Sequence, residues 1–202
     1  MTFKPHNVLS AKEYEVRPIS VAEGRAFIIE HHYSKGCSNT AVHMHGLFRR
    51  GFDALLGVAQ WLPPTRVAAE SVNREGWRRV LSLTRLAVHP DVPKNGATFL
   101  MARSIRIIDA EQKWISLVTY ADEFMGHTGA IYRAANWEYV GFMKAQPRWE
   151  DSTGKQVAKK ATKTRTKAEM EAMGHRMVGA FRKHKFVKHL HQRREPLLKG
   201  IL

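Results

Sequence analysis

Hydrophobic and polar positions along this chain change period several times, and each change marks a boundary. Residues 14–18 read as a short strand. Ser20 and Glu23 then stand at the spacing of a capping box, ahead of Val21, Phe27, Ile28 and Ile29, which predicts a helix over Val21–His31. Tyr33 to Asn39 is a polar, glycine-containing loop. Residues 41–49 and 54–61 read as two strands, joined by a hairpin-length connection through Arg50, Gly51, Phe52 and Asp53. Pro63 and Pro64 end the second, and residues 65–79 form an irregular or partly helical insertion. Residues 81–88 alternate and then become continuously apolar, the pattern of a central strand. A turn-rich loop follows, and then a helix over 97–108 in which Phe99, Leu100, Arg103, Ile107 and Ile108 recur at helical intervals. Residues 114–120 make another buried strand, 128–136 a short helix and 139–144 a final strand.

The order β-α-β-β-β-α-β-α-β predicts an α/β (α+β) fold, a mixed sheet covered by helices. The polar stretch 150–160 reads as a linker. Residues 168–191 are expected to form a basic helix, with Met170, Met173, Met177, Phe181 and Leu190 on a partly apolar face. The chain therefore divides into a catalytic domain at 1–150 and a basic extension at 151–202.

Composition sharpens that division. The 202 residues suffice for one core and an appendage, and 44% hydrophobic residues suit a globular protein. No apolar run reaches the roughly 18 residues of a membrane helix, so no membrane partner is expected. The first residues are mixed and polar, which fits a cytosolic setting. Cys37 is the single cysteine, so an intramolecular disulfide and a cysteine-rich zinc site are excluded. The net charge is +15, and residues 155–202 carry 14 Lys/Arg against 3 Asp/Glu. Most of the excess thus lies in the extension, and such an excess attracts polyanions, chiefly nucleic acid. The cations expected to hold DNA are Lys159, Lys160, Lys163, Arg165, Lys167, Arg182, Lys183, Lys185, Arg193 and Arg194.

The segment from Leu86, Ala87 and Val88 through Lys94, Asn95 and Gly96 to Ala97 and Thr98 takes a buried strand through a loop straight into a helix. Free N–H groups at such a helix start suit a pyrophosphate. Lys94 adds charge, and Gly96 permits close backbone approach. This arrangement resembles the acyl-CoA N-acyltransferases of the GNAT type, whose fourth strand, pyrophosphate loop and third helix form the same unit. It implies a GNAT-like, mostly antiparallel sheet, with Tyr132 at the place of that superfamily's frequent general acid. The usual Arg/Gln-x-x-Gly-x-Gly/Ala pattern keeps only its central glycine here, at Gly96.

His32, Tyr33 and Ser34, the Leu83-Thr84-Arg85 strand leading to Gly96, and Thr119 to Asp122 with Gly129 to Tyr132 together resemble the phage Mom family of DNA-modifying proteins, roughly from Ile28 to Gly141. The resemblance implies that the chain modifies the exocyclic amine of adenine in DNA with a methylcarbamoyl-type group drawn from acetyl-CoA, in an iron-dependent reaction that protects bacteriophage DNA from host restriction in the host cytoplasm. It places catalytic and iron-ligating roles on His32, Tyr33, Asp122 and Tyr132, and acetyl-CoA on Leu86, Ala87, Val88, Lys94, Asn95, Gly96, Ala97 and Thr98. Imidazole, carboxylate and phenolate are acceptable iron ligands.

His31, His43, His45 and His127 stand as neighbouring candidates, with at most one of the adjacent His31 and His32 facing a pocket. Arg85, mid-strand among apolar neighbours, needs an anion, a cofactor or a carboxylate such as Asp122. Among Trp61, Trp77, Trp137 and Trp149, mostly core candidates, one would stack on an adenine taken out of the duplex. Two other readings stay open: an ordinary N-acyltransferase on a protein, RNA or small amine, and a non-catalytic DNA-binding protein on a degenerate transferase scaffold. Oligomeric state is left open, a dimer included.

Overall fold

The computed structural model describes residues 8–157, 159–162 and 164–190. Ser20 opens the first helix as its spacing predicts: its side chain accepts from the Glu23 N–H at 3.2 Å, and the Glu23 carboxylate accepts from the Ser20 N–H at 3.0 Å. That helix, α1 (Val21–His31), follows strand β1 (Tyr14–Pro18). Strands β2 (His43–Arg49) and β3 (Leu55–Leu62) form the expected hairpin. A short helix α2 (Arg66–Glu70) and a 3-10 turn at Trp77–Arg79 fill the insertion. Then come β4 (Val80–Val88), α3 (Gly96–Ala110), β5 (Ser116–Asp122), α4 (Ala130–Ala134) and β6 (Glu138–Glu150).

The C-terminal region departs from expectation. Instead of one basic helix over 168–191, the chain forms α5 (Lys159–Thr162), α6 (Lys167–Ala172) and a long strand β7 (Arg176–His189). Thr166 and Glu169 make a second capping box that starts α6, and Gly174, at φ 76°, stops it. Beyond Gly174 the backbone is extended, so the methionine spacing that mimics a helix is cut in half. The strand order is β1-β2-β3-β4-β5-β7-β6. β1, β2, β3 and β4 pair antiparallel, whereas β4 and β5 run parallel. Among the described residues no helix is long and apolar enough to cross a membrane.

By contacts the chain forms two units, and the division does not fall at residue 150. The first holds the described parts of Met1–Thr119, Ile131–Glu138 and Phe186–Leu202; the second holds those of Tyr120–Ala130 and Tyr139–Lys185. In the first unit Phe27, Ile28, Met44, Val58 and Ala87 form a core cluster under α1. Helix α3 buries Leu100, Met101, Ser104, Ile105 and Ile108 along one stripe. In the second, the side-chain pairs Arg176–Glu150, Arg182–Phe142 and His184–Tyr139 run in opposite chain directions, so β6 and β7 are antiparallel there.

Candidate functional site

The predicted pyrophosphate loop lies in the first unit. β4 pairs with β5 only from Val80–Ser116 to Leu83–Thr119, and its second half continues on β3 through Ala59–Leu86, Val58–Ala87 and Gly57–Val88. Thr119 marks where that parallel ladder ends, its Oγ1 donating to the Leu83 carbonyl at 3.0 Å. Asn95 precedes α3 without capping it. Its side chain instead joins the main chain of Leu9, accepting from the Leu9 N–H at 2.7 Å and donating to the Leu9 carbonyl at 3.3 Å. Gly96 N–H goes to the Pro93 carbonyl and Phe99 N–H to the Asn95 carbonyl. The N–H groups of Ala97 and Thr98 between them have no acceptor among the described residues, and Lys94 is exposed beside them. Free N–H groups at a helix start are the kind that suit an anion. Gly96 serves it differently from expectation: a Cβ there would fall 2.1 Å from the Val92 side chain. The glycine lets the loop fold closely onto itself.

Three of the four expected catalytic residues also gather in this unit. α1 ends at His31, and His32 turns inward with extended dihedrals to 8% exposure. Its Nδ1 accepts from the Ser34 N–H at 3.1 Å, with Ser34 Oγ at 2.8 Å. Ser34 Oγ itself donates to the Gly36 carbonyl at 2.9 Å, so both Ser34 groups hold the ring at Nδ1. The Tyr33 ring lies 4.2 Å from that of His32. Tyr132, on α4, is nearly buried against Trp137 and Phe186. Burial pushes its phenol above the usual tyrosine range; a hydrogen bond with Thr119 works the other way, and the nearby Tyr33 pushes it further up. The group thus offers a neutral phenol and an imidazole N–H, which suits proton donation.

Asp122, the fourth, belongs to the second unit. Its carboxylate pairs with Arg148 and with Lys183 Nζ at 3.3 Å, and it accepts from the Phe124 N–H at 3.2 Å. Arg85, weighed as its partner, gives its protons elsewhere: to the carbonyls of Gly36 at 2.8 Å and Thr84 at 2.6 Å. It tethers the loop after α1 to β4. Sequence reasoning missed Arg148 and Lys183. Arg148 sits in a stretch that reads only as polar, and Lys183 was counted among cations for DNA.

The Asp122 carboxylate, expected as an iron ligand, is paired with Arg148 and Lys183. Among the described residues no three His, Cys, Asp or Glu side chains come together as a metal-binding group.

The remaining histidines are occupied otherwise. His31 packs on Phe27 and His89. His45, 1% exposed, bonds Ser104 Oγ at 2.6 Å, and Trp61 Nε1 donates to the same oxygen at 2.7 Å. His43 accepts from Trp114 Nε1 at 3.1 Å and lies 3.5 Å from Glu111. The His127 N–H donates to the Asp122 carbonyl. Trp61, Trp137 and Trp149 are core residues, whereas Trp77 is half-buried, with the guanidiniums of Arg66 and Arg78 over its ring.

The expected DNA-binding cations spread over three elements. Of Lys159 and Lys160 only the backbone, in α5, is described; Arg165 and Lys167 flank the start of α6; Arg182, Lys183 and Lys185 lie on β7. Lys163, Arg193 and Arg194 lie outside the described residues.

Solved N-acetyltransferases share this fold at low identity. The ribosomal-protein-S18-alanine N-acetyltransferase of Escherichia coli matches with TM-score 0.53 and 9% identity over 93% of this chain and 99% of that one. An N-acetyltransferase of Staphylococcus aureus gives 0.53 and 12% over 88% and 99%. Arabidopsis thaliana NAA60, solved with a bisubstrate analogue, gives 0.54 and 10% over 89% and 99%. These likenesses establish a GNAT-like fold. In sequence, the methylcarbamoylase Mom of Escherichia phage Mu is 33% identical over 140 residues, covering 65% of this chain and 55% of the relative. The match therefore spans little more than half of that protein's length. The Mom protein family itself matches residues 13–196, nearly the whole sequence, and the chain belongs to that family.

Proposed function

We propose that this chain draws on acetyl-CoA to modify the exocyclic amine of adenine in DNA with a methylcarbamoyl-type group, and that this protects phage DNA from restriction in the host cytoplasm. Family membership supports the DNA substrate. The observation that carries the cofactor is the uncapped start of α3, beside a strand whose second half follows β3 after its ladder with β5 has ended. The pyrophosphate of acetyl-CoA would accept from the N–H groups of Ala97 and Thr98, with Lys94 adding charge. The pantetheine arm would run along Leu86, Ala87 and Val88 as an added strand does. Tyr132, protonated at neutral pH, would give its proton to the coenzyme's thiolate when the C–S bond of the thioester breaks. His32 and Tyr33 would steady the acyl oxygen. The basic residues of the C-terminal region would hold the duplex while the adenine is turned out of the stack.

Mass spectrometry of nucleosides from cells expressing the chain tests this. Wild-type protein is expected to yield adenine carrying the added group, and Tyr132→Phe about a hundredfold less or lower still. Unmodified adenine alongside folded wild-type protein would overturn the proposal. Adenine bearing a plain acetyl group would mark an ordinary N-acyltransfer at the same site.

A further inference from the structure

The ribbon of β6 and β7 in the second unit lacks the one-sided burial of an ordinary sheet strand. Val140, Phe142 and Met143 on β6 are 43, 55 and 44% exposed, and Met177 on β7 is 44% exposed. Alternate residues of a strand face opposite sides, so exposure at both Phe142 and the adjacent Met143 leaves both faces wet. Two-stranded ribbons are marginal in water by themselves, and apolar side chains standing out on one call for a partner.

Charge indicates which partner. The second unit carries twelve Lys/Arg against six Asp/Glu. The Arg182 guanidinium lies over the Phe142 ring at 4.2 Å, and Lys144 is exposed on the same strand as that ring. Stacking occupies the flat face of the guanidinium and leaves its edge N–H groups directed outward. Among the described residues, neither Arg182 nor Lys144 has a carboxylate partner for its side chain. A second copy of a chain with net charge +15 would set like charges against one another, whereas a polyanion relieves them. The major groove of B-DNA, about 12 Å wide, admits a two-stranded ribbon.

We propose that the β6–β7 ribbon is a duplex-DNA-binding surface, with the stacked Phe142–Arg182 pair set against base edges in the major groove and Lys144 against the phosphates. This rests on DNA being the substrate, and it moves the docking surface from an expected basic helix to a strand pair with an aromatic contact.

Fluorescence anisotropy of the full chain with a mixed-sequence duplex, over a series of salt concentrations, tests it. Reversing both charges (Lys144→Glu with Arg182→Glu) is expected to weaken binding about a hundredfold and to reduce the log–log salt slope by about one, for the phosphate contact of Lys144. Phe142→Ser is expected to weaken binding about tenfold with little change of slope, because it removes no charge. Circular dichroism and acetyl-CoA binding should match the wild type in both. Wild-type-like duplex affinity in both variants would overturn this surface while leaving DNA as substrate intact. A wild-type chain that binds no duplex would overturn the substrate reading as well. Sedimentation showing a dimer that Phe142→Ser splits, with duplex affinity unchanged, would assign the ribbon to self-association instead.

Discussion

Strands β2 and β6 treat their side chains in opposite ways. β2 buries every residue from Met44 to Phe48, on both of its faces, whereas β6 leaves six of its first seven residues exposed. The first unit is held by apolar packing and by buried neutral pairs such as His45 with Ser104. The second relies on charge: Arg148 and Lys183 on Asp122, His184 on Glu123, Arg176 on Glu150. The first unit buries Tyr132 and keeps its phenol neutral, whereas the second leaves charged side chains such as Lys144 and Arg182 accessible.

The largest expected difference is in packing. Leu100, fully buried and within reach of a Cβ placed at Gly57, should cost about 4 kcal/mol when cut to alanine, read by urea denaturation. A cost below about 1 kcal/mol would show that the first unit is not close-packed. Next comes pH. Burial first, and the neighbouring His43 second, lower the His45 pKa from 6.5 to about 4. The unfolded chain therefore takes up a proton that the folded chain refuses between those values, so stability is complete above pH 6.5 and falls on acidification. About 2 kcal/mol should be lost by pH 5, read as a fall in Tm, and His45→Asn should blunt that fall.

Charge effects in the second unit should be smaller. Asp122→Asn leaves Arg148 and a half-exposed Lys183 without their anion; about 1 kcal/mol is expected, diminishing as salt is added. The iron content of purified protein, read by elemental analysis, should be the same in Asp122→Asn and wild type. A proportional loss would make Asp122 a ligand and overturn the reading of its two cations. The smallest effect is at the ribbon: Phe142→Ala should change unfolding free energy by no more than about 0.5 kcal/mol. A larger cost would mean that the ribbon packs more tightly than β6 exposure indicates.

What was legible in the sequence follows from how local its cause is. The Ser20–Glu23 box starts α1 through bonds three residues apart, and the stripe of α3 recurs every three or four residues. β7 was misread for the same reason in reverse. Met170, Met173, Met177 and Phe181 keep helical spacing, but Gly174 adopts the left-handed conformation in their midst, and pairing beside β6 decides the rest. His32, Tyr33 and Tyr132, named from the sequence, all fall in the first unit, each at the end or on the face of an element that was itself readable. The partners of Asp122 were not, because Arg148 is 26 residues away and reaches it only through the folded strand pair. The role of Gly96 was also hidden, being fixed by Val92 four residues earlier in a loop of no regular pattern.

The clasp between Asn95 and Leu9 joins positions 86 residues apart, and both of its hydrogen bonds use the main chain of Leu9. Any residue but proline at position 9 can therefore make both bonds. The clasp thereby keeps the Asn95 side chain off the first turn of α3, whose start it leaves uncapped.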